Sequence, residues 1–242
     1  MAPLGQGDEE VRSLLKQATA HKRNGDWARA IESLRQAHSV ARANGDWLDT
    51  KSRLRLPKYL AEAGHRDFAW AEFSQIVAEI SSCGKGEWQI CISLADVYRE
   101  MARFLRHEQR FKDSFFHEFL SHHWWVRSLN LSYRYELERA SESQVAESNT
   151  SDEFLKLAYR RNGELAVEYA AESLTKLRGI LSDEGIEEFL DAHLRYDELM
   201  TLKPALTALF HSEMDSFPDV DLSRLLADVS RILRGNPNPR QE

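Results

Sequence analysis

Apolar residues recur every three or four positions along most of this chain, the spacing that gathers one face of an α-helix. Val11, Leu14, Leu15 and Ala18 form the first such face, and Ala30, Ile31, Leu34, Ala37 and Ala41 form the second. A third helix is expected from about Trp47 through Leu54, Leu56 and Leu60 to Ala63, kinked or split by Pro57. Phe68, Ala69, Phe73, Ile76, Val77 and Ile80 mark a fourth. A longer pair follows, from about Trp88 to Leu105 and from Phe111 to about Glu138. Beyond it, helices are expected near 152–181, 184–200, 203–214 and 220–234, with Pro204 in a first turn and Asp219 or Asp221 as a cap. No segment alternates as a strand does, so the sequence predicts an all-α protein.

Glycines punctuate the first half of this pattern. Gly25, Gly45, Gly64 and Gly84 stand about twenty residues apart, and each is soon followed by an acid and an aromatic: Asp26-Trp27, Asp46-Trp47, Asp67-Phe68 and Glu87-Trp88. Glycine takes the left-handed conformation that ends a helix, and the acid caps the amides of the next. The spacing leaves room for helices of about sixteen residues, about 25 Å long, joined by tight turns. Successive helices of that kind form hairpins, and stacked hairpins form a solenoid.

Composition narrows the class. The chain has 242 residues, 42% hydrophobic and 29% charged, with six prolines and eleven glycines, as suits a folded helical protein. The first ten residues lack the basic start and apolar run of a secretion signal, and no stretch approaches a membrane span. Cys83 and Cys91 are too few for a disulfide framework or a four-cysteine zinc site. Cys91, among Trp88, Ile92, Leu94 and Ala95, reads as a buried thiol. A cytoplasmic location fits these features. The net charge of −7 is uneven: residues 1–139 sum to +2 and residues 140–242 to −9. The change falls in the polar run from Ala140 to Asp152, which is expected to be a linker.

The first hairpin resembles a tetratricopeptide repeat. That family places a small residue in its first helix, a Gly-Asp-aromatic turn, and Ala-x3-Leu/Phe-x2-Ala on its second helix. Here the matching residues are Ala18, then Gly25-Asp26-Trp27, then Ala30, Leu34 and Ala37. A second copy reads Gly64, Ala69, Phe73 and Ile76, and a third reads Ala102, Leu105, Phe111, Ser114, Glu118 and Ser121. The copies cover residues 11–128, about half of the chain. Ala30, Ala69 and Ser114 are 39 and 45 residues apart, against the usual repeat of about 34. The tryptophan slot of the first helix holds Leu14, Arg53 and Tyr98.

The resemblance implies stacked antiparallel hairpins with a C-terminal helical cap or bundle. Residues 1–10 would be disordered, 11–139 would hold the repeats, 140–151 the linker, 152–234 acidic helices and 235–242 a disordered tail. It also implies a concave groove lined by the first helix of each pair. Arg12, Thr19, Lys22 and Arg23 would line it first, then Lys51, Arg55 and Lys58, then Arg99, Arg103, Arg106 and His107. So basic a groove would attract acidic peptides or other anions. Relatives that clamp a terminal carboxylate use lysine and asparagine where this chain has Leu15 and Thr19, so that clamp does not carry over.

Other segments look chemical at first. His117, Glu118, His122 and His123 lie together, but His117 and His122 are five residues apart, rotated by about 140° on a helix. A zinc-protease helix needs four. Arg110 and His117 have the spacing of some helical ribonucleases, a pattern loose enough to arise by chance. The aromatics Phe115, Phe116, Phe119, Trp124, Trp125, Tyr133 and Tyr135 are expected to pack between the last repeat and the C-terminal helices, or to form an exposed interaction patch. Phe154, Leu155, Leu157, Ala158, Leu165, Ala166, Tyr169, Ala170 and Leu174 are expected on the inner side of the cap. The acidic half could instead dock on the basic groove, in its own molecule or in another copy.

The expectation is a non-enzymatic adaptor that holds an acidic peptide or protein surface and needs no cofactor or metal. A pI near 5.8 argues against a nucleic-acid partner. A peptide- or ligand-responsive regulator is the alternative, and a helical nuclease built on Arg110, His117 and Glu118 is a third class.

Overall fold

In a computed structural model, residues 6–44, 48–83, 88–214 and 222–235 are described, and the secondary structure among them is helical. Gly45, Trp47, Gly84, Glu87, Asp219 and Asp221 lie outside the described residues. The chain divides into two compact units, Met1–Cys83 and Gly84–Glu242.

The first unit contains α1 (Gln6–Arg23), α2 (Trp27–Ala43), α3 (Thr50–Arg53), α4 (Arg55–Glu62) and α5 (Arg66–Ser82). Helix α1 begins at Gln6, so the disordered start expected through residue 10 is helical from there on. Glu9 and Glu10 near its beginning suit the positive end of the helix dipole. Helix α1 packs on α2, α2 on α4, and α4 on α5. Ala30, Leu34 and Ala37 of α2 and Ala69, Phe73 and Ile76 of α5 are all buried, as the repeated pattern predicts. The single third helix expected from Trp47 is two, and the break comes at Leu54 rather than at Pro57. Proline has no N–H for the carbonyl four residues earlier and its ring crowds that carbonyl, here that of Arg53. Pro57 therefore sits in the first turn of α4, where its missing donor costs nothing.

The hairpin turns share one geometry. Gly25 and Gly64 take φ values of +75° and +87°, and Gln109 takes +60°. In each turn this residue's N–H donates to a carbonyl three residues back: Lys22, Ala61 and Arg106, all at 3.0 Å. The next N–H reaches five residues back, to His21, Leu60 and Leu105. The helix caps that follow match too, with Asp26, His65 and Arg110 at φ near −90° and ψ of 76°, 63° and 68°. Gln109 thus fills the place that glycine holds in the other two turns.

The second unit is built on one long helix. Helix α6 (Trp88–His107) is followed by α7 (Phe111–Asn149), whose 39 residues span about 58 Å, and then by α8 (Glu153–Ile180). The run expected as a linker is helical through Asn149, and only Thr150 to Asp152 breaks the path. Its Ala, Glu and Gln residues support a helix and it holds no glycine or proline. The helix expected over 184–200 is α9 (Asp183–His193) and the short α10 (Asp197–Met200). Helices α11 (Lys203–Met214) and α12 (Leu222–Leu233) complete the unit.

Phe115 and Phe119 of α7 enter a core with Leu190, Leu206, Phe210 and Val229. That part of the expected aromatic packing is present, whereas Tyr135 is exposed. Helix α8 meets α7 through Ala166, Ala170 and Leu177. Phe154, Leu155, Leu157 and Tyr169, expected to face inward, are exposed. The small residues win that seam because they allow closer backbone approach: a Cβ on Gly163 would lie 3.5 Å from Ser143 Cβ.

The shared turn geometry makes the three positions directly comparable. A left-handed conformation costs a non-glycine residue about 1 kcal/mol. Gln109→Gly should stabilise the protein by up to about 1 kcal/mol, and Gly25→Ala should destabilise it by a similar amount. Urea denaturation of both variants measures this, and a Gln109→Gly variant less stable than the parent contradicts it.

Candidate functional site

The expected groove residues of the first unit lie on α1, α3 and α4. Arg12, Thr19 and Arg23 recur at helical spacing along one face of α1. Arg55 of α4 reaches that face and donates to Thr19 Oγ1 at 2.7 Å and to the Leu15 carbonyl at 2.8 Å. Lys22 pairs with Glu62 at 2.7 Å. Its ammonium also sits 4.6 Å from the Tyr59 ring centre and 5.4 Å from that of Trp27. The two rings meet edge to face at 5.9 Å, and the Arg55 guanidinium lies 5.8 Å from Tyr59. Cations over aromatic faces keep their charge at the surface while the rings fix their position. Arg12, Arg23 and Lys51 are exposed, and Lys58 is half-buried. Lys22 and Arg55 thus tie α4 to α1, and Thr19 takes part as the acceptor of Arg55.

The other four lie on α6 of the second unit. Arg99 pairs with Asp96 at 3.3 Å and Arg103 with Glu100 at 2.8 Å, both one turn back along the helix. Arg106 donates to the buried Glu118 of α7 at 2.7 Å. Burial pushes the Glu118 carboxyl up, against the pull of Arg106, Arg103 and Arg99. Arg106 thus joins two helices rather than facing solvent alone. His107 is exposed at the end of α6.

Sequence reading did not pair Lys22 with Glu62 or Arg106 with Glu118, since these acids come from other helices. Arg53, the poor match in the tryptophan slot, is buried and paired with Glu79 of α5. Beside that pair, Arg35, His38, Arg42 and Glu72 help to line a cleft of about 520 Å³. The only advance sign was that poor match: a long cation at a core position implies a buried acid.

The segment that looked like a metal site is divided among three surroundings. The ring of His117 bonds its own helix at the Asp113 carbonyl, 2.8 Å away. Glu118 is held by Arg106, and the ring of His122 packs 4.5 Å from that of Phe189. Among the described residues no three His, Cys, Asp or Glu side chains come together as a metal cluster. Arg110 pairs with Asp113 at 2.7 Å. Cys91 is buried as expected, and burial pushes its thiol up. None of the described helices is long and apolar enough to cross a membrane.

The chain matches no known protein-family model, no curated protein and no solved structure.

Burial has one further electrostatic consequence. It lowers His122 to about 4, assisted by His193 and His123. It lowers His193 to about 4 as well, assisted by Arg106 and Arg195. His123 is lowered to about 4 by burial and then Arg127, and His38 to about 4 by burial and then Arg53 and Arg42. All four are neutral in the folded protein at pH 7. As pH falls from 6.5 towards 4 the unfolded chain binds these protons first, so stability present above 6.5 is lost across that window. The melting temperature should fall by about 10 °C or more from pH 7 to pH 5. His122→Gln, which removes one such group, should shrink the fall, and equal melting temperatures at the two pH values would refute the reading.

Proposed function

We propose that this chain is a tetratricopeptide-like interaction adaptor that binds an acidic peptide or partner surface on the α1–α4 face of its first unit. The carrying observation is the placement of Lys22 and Arg55 over Tyr59, with Arg12, Arg23 and Lys51 exposed on the same two stretches of chain. The positively charged heads are fixed by aromatic rings and by the α1 backbone rather than left to move freely. Pre-placed donors spend less conformational entropy when they engage a carboxylate. The recurrence of one turn in three hairpins supports the repeat reading.

Arg110 and His117 both contact Asp113 while Glu118 is taken up by Arg106, so the three side chains of the nuclease reading do not meet. The adaptor reading requires that binding weaken as salt rises, because the contacts lie at the surface.

Fluorescence anisotropy with a labelled oligoglutamate peptide tests the face directly. Reversing two exposed cations, Arg12→Glu with Lys51→Glu, should weaken binding by about tenfold or more, equivalent to about 1.4 kcal/mol. His117→Ala should leave binding unchanged. Equal affinity of the double variant and the parent removes the α1–α4 face as the binding surface.

A further inference from the structure

The cleft of about 520 Å³ in the first unit lies between α2 and α5, with Leu56 of α4 among its lining residues. Its walls are two helical stripes in one register. Arg35, His38 and Arg42 follow each other on α2 at spacings of three and four, and Glu72, Gln75 and Glu79 do so on α5. At one end the stripes are tied together. Arg42 pairs with Glu79 at 3.3 Å, Gln75 donates to the same oxygen at 2.8 Å, and Arg53 pairs with the other. The Glu79 carboxylate is therefore fully used.

About 10 Å along the helix axes, at the other end, the walls are not tied. Arg35 and Glu72 stand on opposite sides there. Burial pushes the Glu72 carboxyl up, and Arg35 is near enough to oppose that shift. Yet among the described residues neither side chain has a hydrogen bond or an ion pair. Between the two ends lies His38, whose Nε2 is buried without a partner. Buried ring nitrogens are rarely left unpaired, so this cleft has polar groups on three sides that a bound molecule would satisfy.

Charge separates the ligand classes. A simple anion meets Arg35 but is repelled by Glu72, and a simple cation meets Glu72 but is repelled by Arg35. A molecule that carries a carboxylate beside an ammonium satisfies both, through a forked pair of N–H donors on one side and a charge-assisted bond on the other. Leu56 and Ala43 give its side chain an apolar strip. The cleft also has the size of small-molecule sites, roughly 300–1,000 Å³.

We propose that the α2–α5 cleft binds a free α-amino acid, its carboxylate on Arg35 and its ammonium on Glu72. The ligand is held as a zwitterion, and binding leaves the net charge of the cleft unchanged. The site uses other residues than the α1–α4 face, so it stands whether or not that face binds acidic peptides.

Isothermal titration calorimetry of the full chain with the proteinogenic amino acids, one at a time, is the test. At least one should bind with a dissociation constant below about 1 mM. Blocking either charge of that amino acid, as its N-acetyl derivative or its carboxamide, should weaken binding at least about tenfold, and so should Arg35→Gln or Glu72→Gln. Arg35 is exposed and Glu72 half-buried, so neither substitution should change the far-ultraviolet helical signal. In histidine-labelled spectra the His38 ring signal should move on binding while that of the exposed His65 stays. Arg12→Glu with Lys51→Glu should leave amino-acid binding unchanged, which separates this site from the peptide-binding face. A parent that binds no amino acid below about 1 mM overturns the proposal. An N-acetyl derivative that binds as tightly as the free amino acid, the behaviour of a plain anion site, overturns it too, as does undiminished binding by both cleft variants.

Discussion

Close approach between paired helices is the constraint on which the second unit depends. Ser114, Ser121 and Ser128 recur at intervals of seven along α7, and their hydroxyls donate to the α6 carbonyls of Ala102, Ala95 and Trp88 at 2.9, 2.7 and 3.1 Å. Those acceptors also step by seven, in the opposite direction, as an antiparallel pair with a coiled-coil period requires. A hydroxyl reaches a neighbouring helix's backbone only if nothing larger than serine stands between the axes. The same stripe of α7 continues through Ser132 and Ser143 and meets α8, where Ser173 donates to Ser132 at 3.4 Å. One face of one long helix therefore serves two partners in turn, small side chains inward throughout.

This seam decides where everything else goes. Where the first two hairpins bury Leu34 and Phe73, the third buries Glu118, and where they bury Ala37 and Ile76 it buries Ser121. The apolar contact is replaced by polar bonds whose geometry is directional. A buried ion pair such as Arg106–Glu118 contributes little net stability, since desolvation offsets the attraction, but losing one partner is costly. Its effect is to fix which turn of α7 faces which turn of α6. The α7–α8 seam holds Val126, Leu129 and Leu177 near the start of the pair, and past Ser132 small residues replace them while Phe154, Leu157 and Tyr169 lie exposed.

The sequence carried the helices and the first two turns because their physics is local. Gly25 and Gly64 are the residues that adopt a left-handed turn at least cost, and each stands where the helix ends. The third turn was legible only as a gap between the helices ending near Leu105 and starting at Phe111, because Gln109 does the same work without the glycine signal. Residues 140–149 misled for the converse reason: a polar composition resembles a loop, yet with no glycine or proline it continues a helix whose only buried side chain there is Ser143. The apolar face of α8 was visible, but not its direction. That depends on Gly163, Ala166 and Ala170 packing closer than Phe154 or Tyr169 allow. The cations of the candidate site were equally plain, and their partners were not, because ion pairing across helices depends on tertiary placement.

The same distinction bears on how charge should be read. The chain carries −7 overall, which by itself suggests a protein that repels acidic partners. Charges at a protein surface are screened over about 8 Å at physiological ionic strength, so a ligand senses the face it approaches and not the total. On the α1–α4 face the nearest acid, Glu62, is occupied by Lys22, while Arg12, Arg23 and Lys51 stand exposed. Net charge hides that arrangement. It is read only from the pairing of individual side chains, as where the Lys22 ammonium meets both the Glu62 carboxylate and the Tyr59 ring.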